Sequence, residues 1–381
     1  MLLPQARNTA LAYLGVAALL FVVTVVLPAR GVWERRALPV VHEDIREARV
    51  IEITPGERLT APTGVIVQER VVVEADGERI AIERGFQEGG GDAFVLEPGE
   101  TVLLGQVAGE QGPVYQIKDR SRRVPVWALT FAFALLVMAV GGWRGALSLL
   151  GLASSVLVIA RFIVPAVMDG WDPLLVCIAG ALVIMTTTLT LGHGVNRKTA
   201  IALGATVGCL ALTGLLAVWS VEFASLTGIA DDDASTLQIL LGRGVVDPRG
   251  LLLGSMILGA VGVLDDVTTT QASAIAELRE ANPSLTSVEL FRRGMNVGRD
   301  HIAATTNTLL LAYAGTALPL ILILSAQQQP AGILISFDSL ATEVVRTVVG
   351  SIGIVAAVPL TTALAAFGGA WGTGRGAPRA R

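Results

Sequence analysis

Two consecutive carboxylates, Asp265 and Asp266, interrupt an otherwise apolar stretch of this 381-residue chain. In GAVGVLDDVTTTQASAIAEL (259–278), Asp266, Thr270, Ser273 and Glu277 fall at i, i+4, i+7 and i+11, one face of a helix of period 3.6. Asp265 and Thr269 lie alongside. An aspartate at the centre of a membrane helix costs about 2.5–3.5 kcal/mol on insertion scales, so two in succession require a wet cavity, a partner or a place at the boundary. Two placements stay open: a helix that continues through the pair, or a span that ends at Leu264 with an interfacial segment after it. A second polar set, in GRDHIAATTNTLLLAYAG (298–315), offers Arg299, Asp300 and His301 at a helix edge, with Thr305, Thr306, Asn307 and Thr308 about one to two turns deeper. Asp266 and Asp300, with Asn307 and the hydroxyls, can form an oxygen-rich site for a cation or a proton. The same groups can act as interhelical glue, Asn307 meeting the Thr268–Thr270 ladder, at about 0.6 kcal/mol per hydrogen bond. No Cys or His is spaced to make His301 a metal ligand.

These side chains need helices to hold them. Windows of about 19 residues find apolar stretches near 10–28, 125–142, 146–167, 173–191, 199–220, 250–278, 302–324 and 344–367, eight expected spans. The first reads as a retained anchor, its core being longer than a signal peptide's, although Arg7 and Ala29 also fit a cleaved leader. Between the two polar sets, Asn282-Pro283 stops one helix, and Thr286-x-x-Glu289 is a capping box that starts a short amphipathic one, with Leu285, Val288, Phe291 and Met295 as its stripe. With both termini cytoplasmic, seven basic residues fall in inner short loops (Arg144, Arg197, Lys198, Arg279, Arg292, Arg293, Arg299) against two in outer ones (Arg243, Arg249). Pro319 and Pro359 predict kinks in the last two spans, and Arg161 is expected to snorkel or to pair with Asp169.

Composition agrees: 52% of residues are hydrophobic and 16% charged, where soluble proteins carry roughly 25% charged. Residues 30–123 hold 13 basic and 17 acidic residues, half of all the charge. Runs such as VIVQERVVVEA (65–75) and ERIAIE (78–83), cut by Asp-Gly and Pro-Gly turns, make this segment an extracytoplasmic β-domain, a small barrel or sandwich. The expected fold is therefore an α-helical polytopic membrane protein of about eight transmembrane helices with a small extracytoplasmic all-β domain after the first. Its parts are an anchor (1–29), the β-rich domain (30–123), a seven-span bundle (124–370) and a basic cytoplasmic tail (371–381). Balanced charge in the remainder argues against nucleic acid as a partner. Cys177 and Cys209 each sit in an apolar run and read as buried thiols.

The block 265–315 resembles the YibE/F family of bacterial multi-pass membrane proteins. The resemblance rests on Asp266-Val267, Glu277-Leu278, Asn282-Pro283, Gly294-Met295, Gly298-Arg299-Asp300, Thr306-Asn307-Thr308-Leu309 and Ala312-Tyr313, which occur in the family's order and add Tyr313 to the candidate polar site. Asp265 and His301 depart from the pattern. The resemblance implies a bacterial plasma-membrane protein with one N-terminal span, an extracytoplasmic β-domain and a helical bundle; it carries no established activity. From the residues themselves, the leading expectation is a transporter or permease for an ion or small solute. The other is a non-transporting scaffold or sensor whose β-domain binds an envelope protein. Enzymatic motifs such as HExxH, GxSxG and Walker A are absent, so no enzyme and no cofactor are expected. The lipid bilayer is the expected first partner, with a homo-oligomer or an envelope protein as candidates for a second.

Overall fold

The computed structural model describes residues 14–29, 44–61, 64–87, 95–109, 112–230, 232–242 and 244–368. The expected basic tail, the beginning of the first span, Asp231 and Arg243 lie outside them. Contacts divide the chain into two compact units, Pro39–Ala139 and the rest.

Alternation builds the sheet. Strands β1 (Asp44–Ala61), β2 (Gly64–Ala75), β3 (Glu78–Gln87), β4 (Thr101–Gly109) and β5 (Gly112–Arg120) pair antiparallel in the order β3-β2-β1-β4-β5. Along β2, Val71, Val73 and Ala75 are buried while Arg70 and Glu74 are exposed, the period of two that a one-sided core demands. Asp76 and Gly77, both at positive φ (52° and 83°), make the two-residue turn into β3, with Ala75 paired to Glu78. Long β1 serves both neighbours and shifts register at Val50/Glu52 and Pro55/Arg58. Such bulges bend a strand, and the sheet curls until its edges β3 and β5 meet, a half-barrel. Val50, Val71, Val73, Leu96, Val102 and Leu104 fill it.

The remaining elements are helical: α1 (Leu14–Val26), α2 (Arg123–Met168), α3 (Pro173–His193), α4 (Arg197–Phe223), α5 (Asp232–Leu241), α6 (Pro248–Ala281), α7 (Ser287–Thr316), α8 (Leu318–Ala326), α9 (Ala331–Leu334) and α10 (Asp338–Phe367). Five of these (α2, α3, α4, α6, α10) are long and apolar enough to cross a membrane, six if α7 and α8, bent by 59° at their junction, count as one. The eight expected stretches do not map one to one onto these helices. Stretches two and three join in α2, where Gly142 (φ 56°, ψ −137°) leaves helical geometry. That φ suits glycine. The capping box at Thr286 and Glu289 forms, but the amphipathic helix it starts does not stop short. It runs on into the next apolar stretch as α7, because nothing between Ser287 and Thr316 breaks the helix. The bend comes at Ala317, where Pro319 opens α8; Pro359 lies inside α10 without ending it.

Helix α6 is the axis of the bundle and packs on α3, α4, α7 and α10. Ile257, Leu264 and Val267 meet Met185, Leu210, Ile354 and Val358 in the largest apolar cluster. Small residues set the spacing. A Cβ at Gly254 would meet the Cys177 sulfur at 2.6 Å, and one at Gly294 or Gly298 would strike Ile275 or Val358. Both cysteines are buried and free.

Candidate functional site

Helix α6 continues unbroken through both aspartates to Ala281, and its two faces separate them. Asp265 turns inward. Its Oδ2 accepts a hydrogen bond from Thr188 Oγ1 of α3 at 3.1 Å, while its Oδ1 is buried without a partner. Asp266 is exposed. One turn on, Thr269 Oγ1 is buried and likewise unpartnered, on the same face as Asp265 at spacing i, i+4.

Further along the inward face, the hydroxyls of Thr268 and Thr206 (α4) share a hydrogen bond at 2.7 Å. Gln271 is 2% exposed and donates to Gly294 O of α7 at 2.9 Å and to Thr362 Oγ1 of α10 at 2.8 Å. One buried amide therefore ties three helices together.

A polar cavity of about 400 Å³ opens beside this face. Arg144 and Ser148 of α2, Gly192 and His193 at the end of α3, and Asn196 before α4 line it, with Lys198, Thr199 and Ala202 of α4 and Thr269 and Ser273 of α6. A second cavity, about 370 Å³, lies towards the other end of α6, where Leu251, Leu252 and Ser255 face Gly228, Asp233, Ala234, Leu237 and Arg346. Arg346 pairs with Glu343 at 2.6 Å. Ser255 and Thr269 are separated by about 21 Å at a helical rise of 1.5 Å per residue.

The candidate residues from the sequence scatter around this arrangement. Asp265, Thr269 and Ser273 belong to the inward face or the first cavity. Thr270 is exposed, and Glu277, also exposed, pairs with Lys198 Nζ at 3.1 Å. On α7, Arg299, Asp300 and Asn307 are exposed, and Thr306 Oγ1 and His301 Nε2 are buried and unpartnered. The Tyr313 hydroxyl packs on the α6 backbone, 2.6 Å from where a Cβ at Gly259 would stand. Among the described residues, no hydrogen bond or ion pair joins Asp266 to Asp300 or Asn307, or Arg161 to Asp169. Nor does any group of three His, Cys, Asp or Glu side chains suit a metal. Thr268 meets Thr206 where the ladder was expected to meet Asn307. Gln271, Thr188 and Thr362 escaped the reading altogether. Gln271 shares a stripe with Leu264, Asp265, Thr268 and Ile275, and a polar residue on an apolar stripe is the signal that marks it.

A model of the YibE/F-like protein family matches residues 129–369. No curated protein and no solved structure shows significant similarity to the chain. The match takes in every helix from α3 to α10, including the Asp265–Thr188 contact, the Gln271 junction and both cavities, and family and apolar helices together point to a membrane protein. The chain belongs to the YibE/F-like family.

Proposed function

We propose that this protein is a permease-like transporter of an ion or small solute, and that Asp265 is the residue whose change of partner drives the movement. The supporting observation is the buried, unpartnered Oδ1 of Asp265, one helical turn from Thr269, which lines a polar cavity. A purely structural carboxylate is normally satisfied on both oxygens, because burying a charge without partners is costly. An oxygen left open inside a bundle can take up a proton or a cation and give it back. Cavities towards both ends of α6 supply approaches from either side.

The same reading places the protein in the bacterial plasma membrane with eight spans and both termini cytoplasmic. The 46-residue run of α2 is about 69 Å long at 1.5 Å per residue, more than twice the roughly 30 Å hydrocarbon core, so two spans meeting at Gly142 suit it. Helix α1, α3, α4, α6, the bent α7–α8 pair and α10 complete the count. In this reading the anchor is 1–29, the β-domain 30–123 faces outward, the bundle is 124–370 and 371–381 is a cytoplasmic tail.

Flux in proteoliposomes tests the proposal across a panel of monovalent and divalent ions and phosphate. Wild type should move at least one of them, Asp265→Asn should lose that flux, and Asp266→Asn should stay within about twofold, a small change in free energy. Wild-type flux equal to that of empty liposomes across the panel would sink the transport reading. Undiminished flux in Asp265→Asn would remove Asp265 from it.

A further inference from the structure

The first cavity differs in charge from the carboxylate seam beside it. Its lining carries two cationic side chains, Arg144 and Lys198, together with the His193 imidazole, and no acidic one. Among the described residues, the side chains of Arg144, Ser148, His193 and Ser273 make no hydrogen bond within the protein, so their donors are free to meet a ligand. The first turn of the 27-residue helix α4 also faces the cavity through Lys198 and Thr199. Asn196 Oδ1 accepts from the Thr199 N–H at 3.0 Å, and the Lys198 N–H, at the second helical position, has no intrahelical acceptor. Two carboxylates approach from outside the lining: Glu277 on Lys198, and Asp266, which shares with Arg144 the electrostatic neighbourhood of His193.

We infer that this cavity binds a phosphate-bearing ligand, held by Arg144, Lys198 and His193 with the hydroxyls of Ser148 and Ser273. A planar guanidinium and a mobile ammonium are the usual pair for phosphate oxygens, and hydroxyls and helix-start N–H groups complete such a shell. A volume of about 400 Å³ exceeds what a bare ion fills and lies within the range of small-molecule pockets, leaving room for an organic group on the phosphate. Two sources share this chemistry: a free phosphate or phosphorylated solute, and the headgroup of an anionic phospholipid. Thr269 lies about 32 Å along α6 from Pro248 at the standard rise, close to one hydrocarbon thickness, so the pocket sits at a depth that both can reach. The site stands apart from the transport reading, since a protein that moves nothing can still bind.

Thermal unfolding of the full chain in nanodiscs tests the inference. In phosphatidylcholine discs, inorganic phosphate should raise the melting temperature saturably, Arg144→Ala should weaken the apparent affinity about tenfold or more, and Lys198→Ala should do the same. Because Lys198→Ala also breaks the ion pair with Glu277, Glu277→Gln is the control: it breaks the same pair but frees the ammonium, and should bind phosphate as well as wild type or more tightly. In discs doped with phosphatidylglycerol, a stabilisation that Arg144→Ala removes, with no further effect of phosphate, identifies the headgroup as the occupant. If neither phosphate nor phosphatidylglycerol stabilises wild type, or if Arg144→Ala and Lys198→Ala respond as wild type does, the site is refuted. Saturable binding together with an absence of flux would sink the transport reading alone.

Discussion

In the sheet, the core of Val50, Val71, Val73, Val102 and Leu104 contains no polar side chain, and charges such as Arg46 and Asp76 pair outside it at 3.0 Å. In the bundle the arrangement is turned over. Thr187, Thr206, Thr268, Gln271, Thr361 and Thr362 are buried at the centre, while Leu150, Leu215, Trp219, Phe223, Leu310 and Leu311 are exposed. One chain thus follows two solvent rules. In water, apolar groups leave the surface and polar ones need no internal partner. In hydrocarbon the outer surface gains nothing by being hidden, so polar groups seek one another inside. The buried polar groups of the bundle are hydroxyls and an amide at its centre, whereas those of the sheet are charged side chains outside its apolar core, such as Arg84 and Glu69, which pair with each other at 3.4 Å.

Four measurements probe this contrast, taken from the largest expected effect. Gln271→Ala removes the amide that joins α6, α7 and α10 and leaves a hole among them; unfolding in detergent should show a loss of about 2–4 kcal/mol. A loss below about 0.5 kcal/mol would mean that packing alone holds the three helices. In the sheet, Val71→Thr puts a hydroxyl where no acceptor waits and should cost about 1–3 kcal/mol, read by hydrogen exchange in β1, β2 and β3. The reverse change in the bundle, Thr206→Val, gives up the bond with Thr268 and should cost only about 0.6 kcal/mol; a double-mutant cycle with Thr268→Val isolates that figure. If Thr206→Val costs more than Val71→Thr, the two cores do not obey different rules.

The smallest effect is one of pH. The Asp119 carboxyl is held below its usual range, first by the Arg122 guanidinium that donates to it at 2.6 Å and then by the Arg120 N–H at 2.7 Å. A folded value below the unfolded one means the contribution is whole above about pH 4, the ordinary carboxylate value, and is lost as the pH falls through the folded value. Asp119→Asn should therefore change strand protection slightly at pH 6 and progressively less as the pH falls below about 4, with the solvent-accessible carboxyl keeping the difference small.

Much of the fold was readable from residues alone. The Asp-Gly turn, the capping box at Thr286 and Glu289 and the alternation in β2 are local signals, each decided within a few positions. The candidate site was harder because its decisive facts are rotations and distant partners. Adjacent residues on a helix point about 100° apart, so nothing between Leu264 and Val267 says which aspartate turns inward. Thr188 decides it from α3, 77 residues away, and Thr362 completes Gln271 from 91 residues away. The exposed stripe of Asp266, Thr270 and Glu277 was the more regular pattern, but regular spacing identifies a face without saying what the face meets. Gly142 shows the same limit at the scale of spans: a Gly-Gly pair marks a break, and its dihedral angles make it one.

The Gln271 junction also bears on how the chain is made. Helices α6 and α7 leave the ribosome in succession, but Thr362 lies in α10, which emerges only after both. Until then the amide has only half of its final partners, and a nascent bundle carries a polar group that lipid cannot satisfy. Chains cut short before α10 are therefore expected to look unfinished to cellular quality control, whatever the state of the helices already inserted.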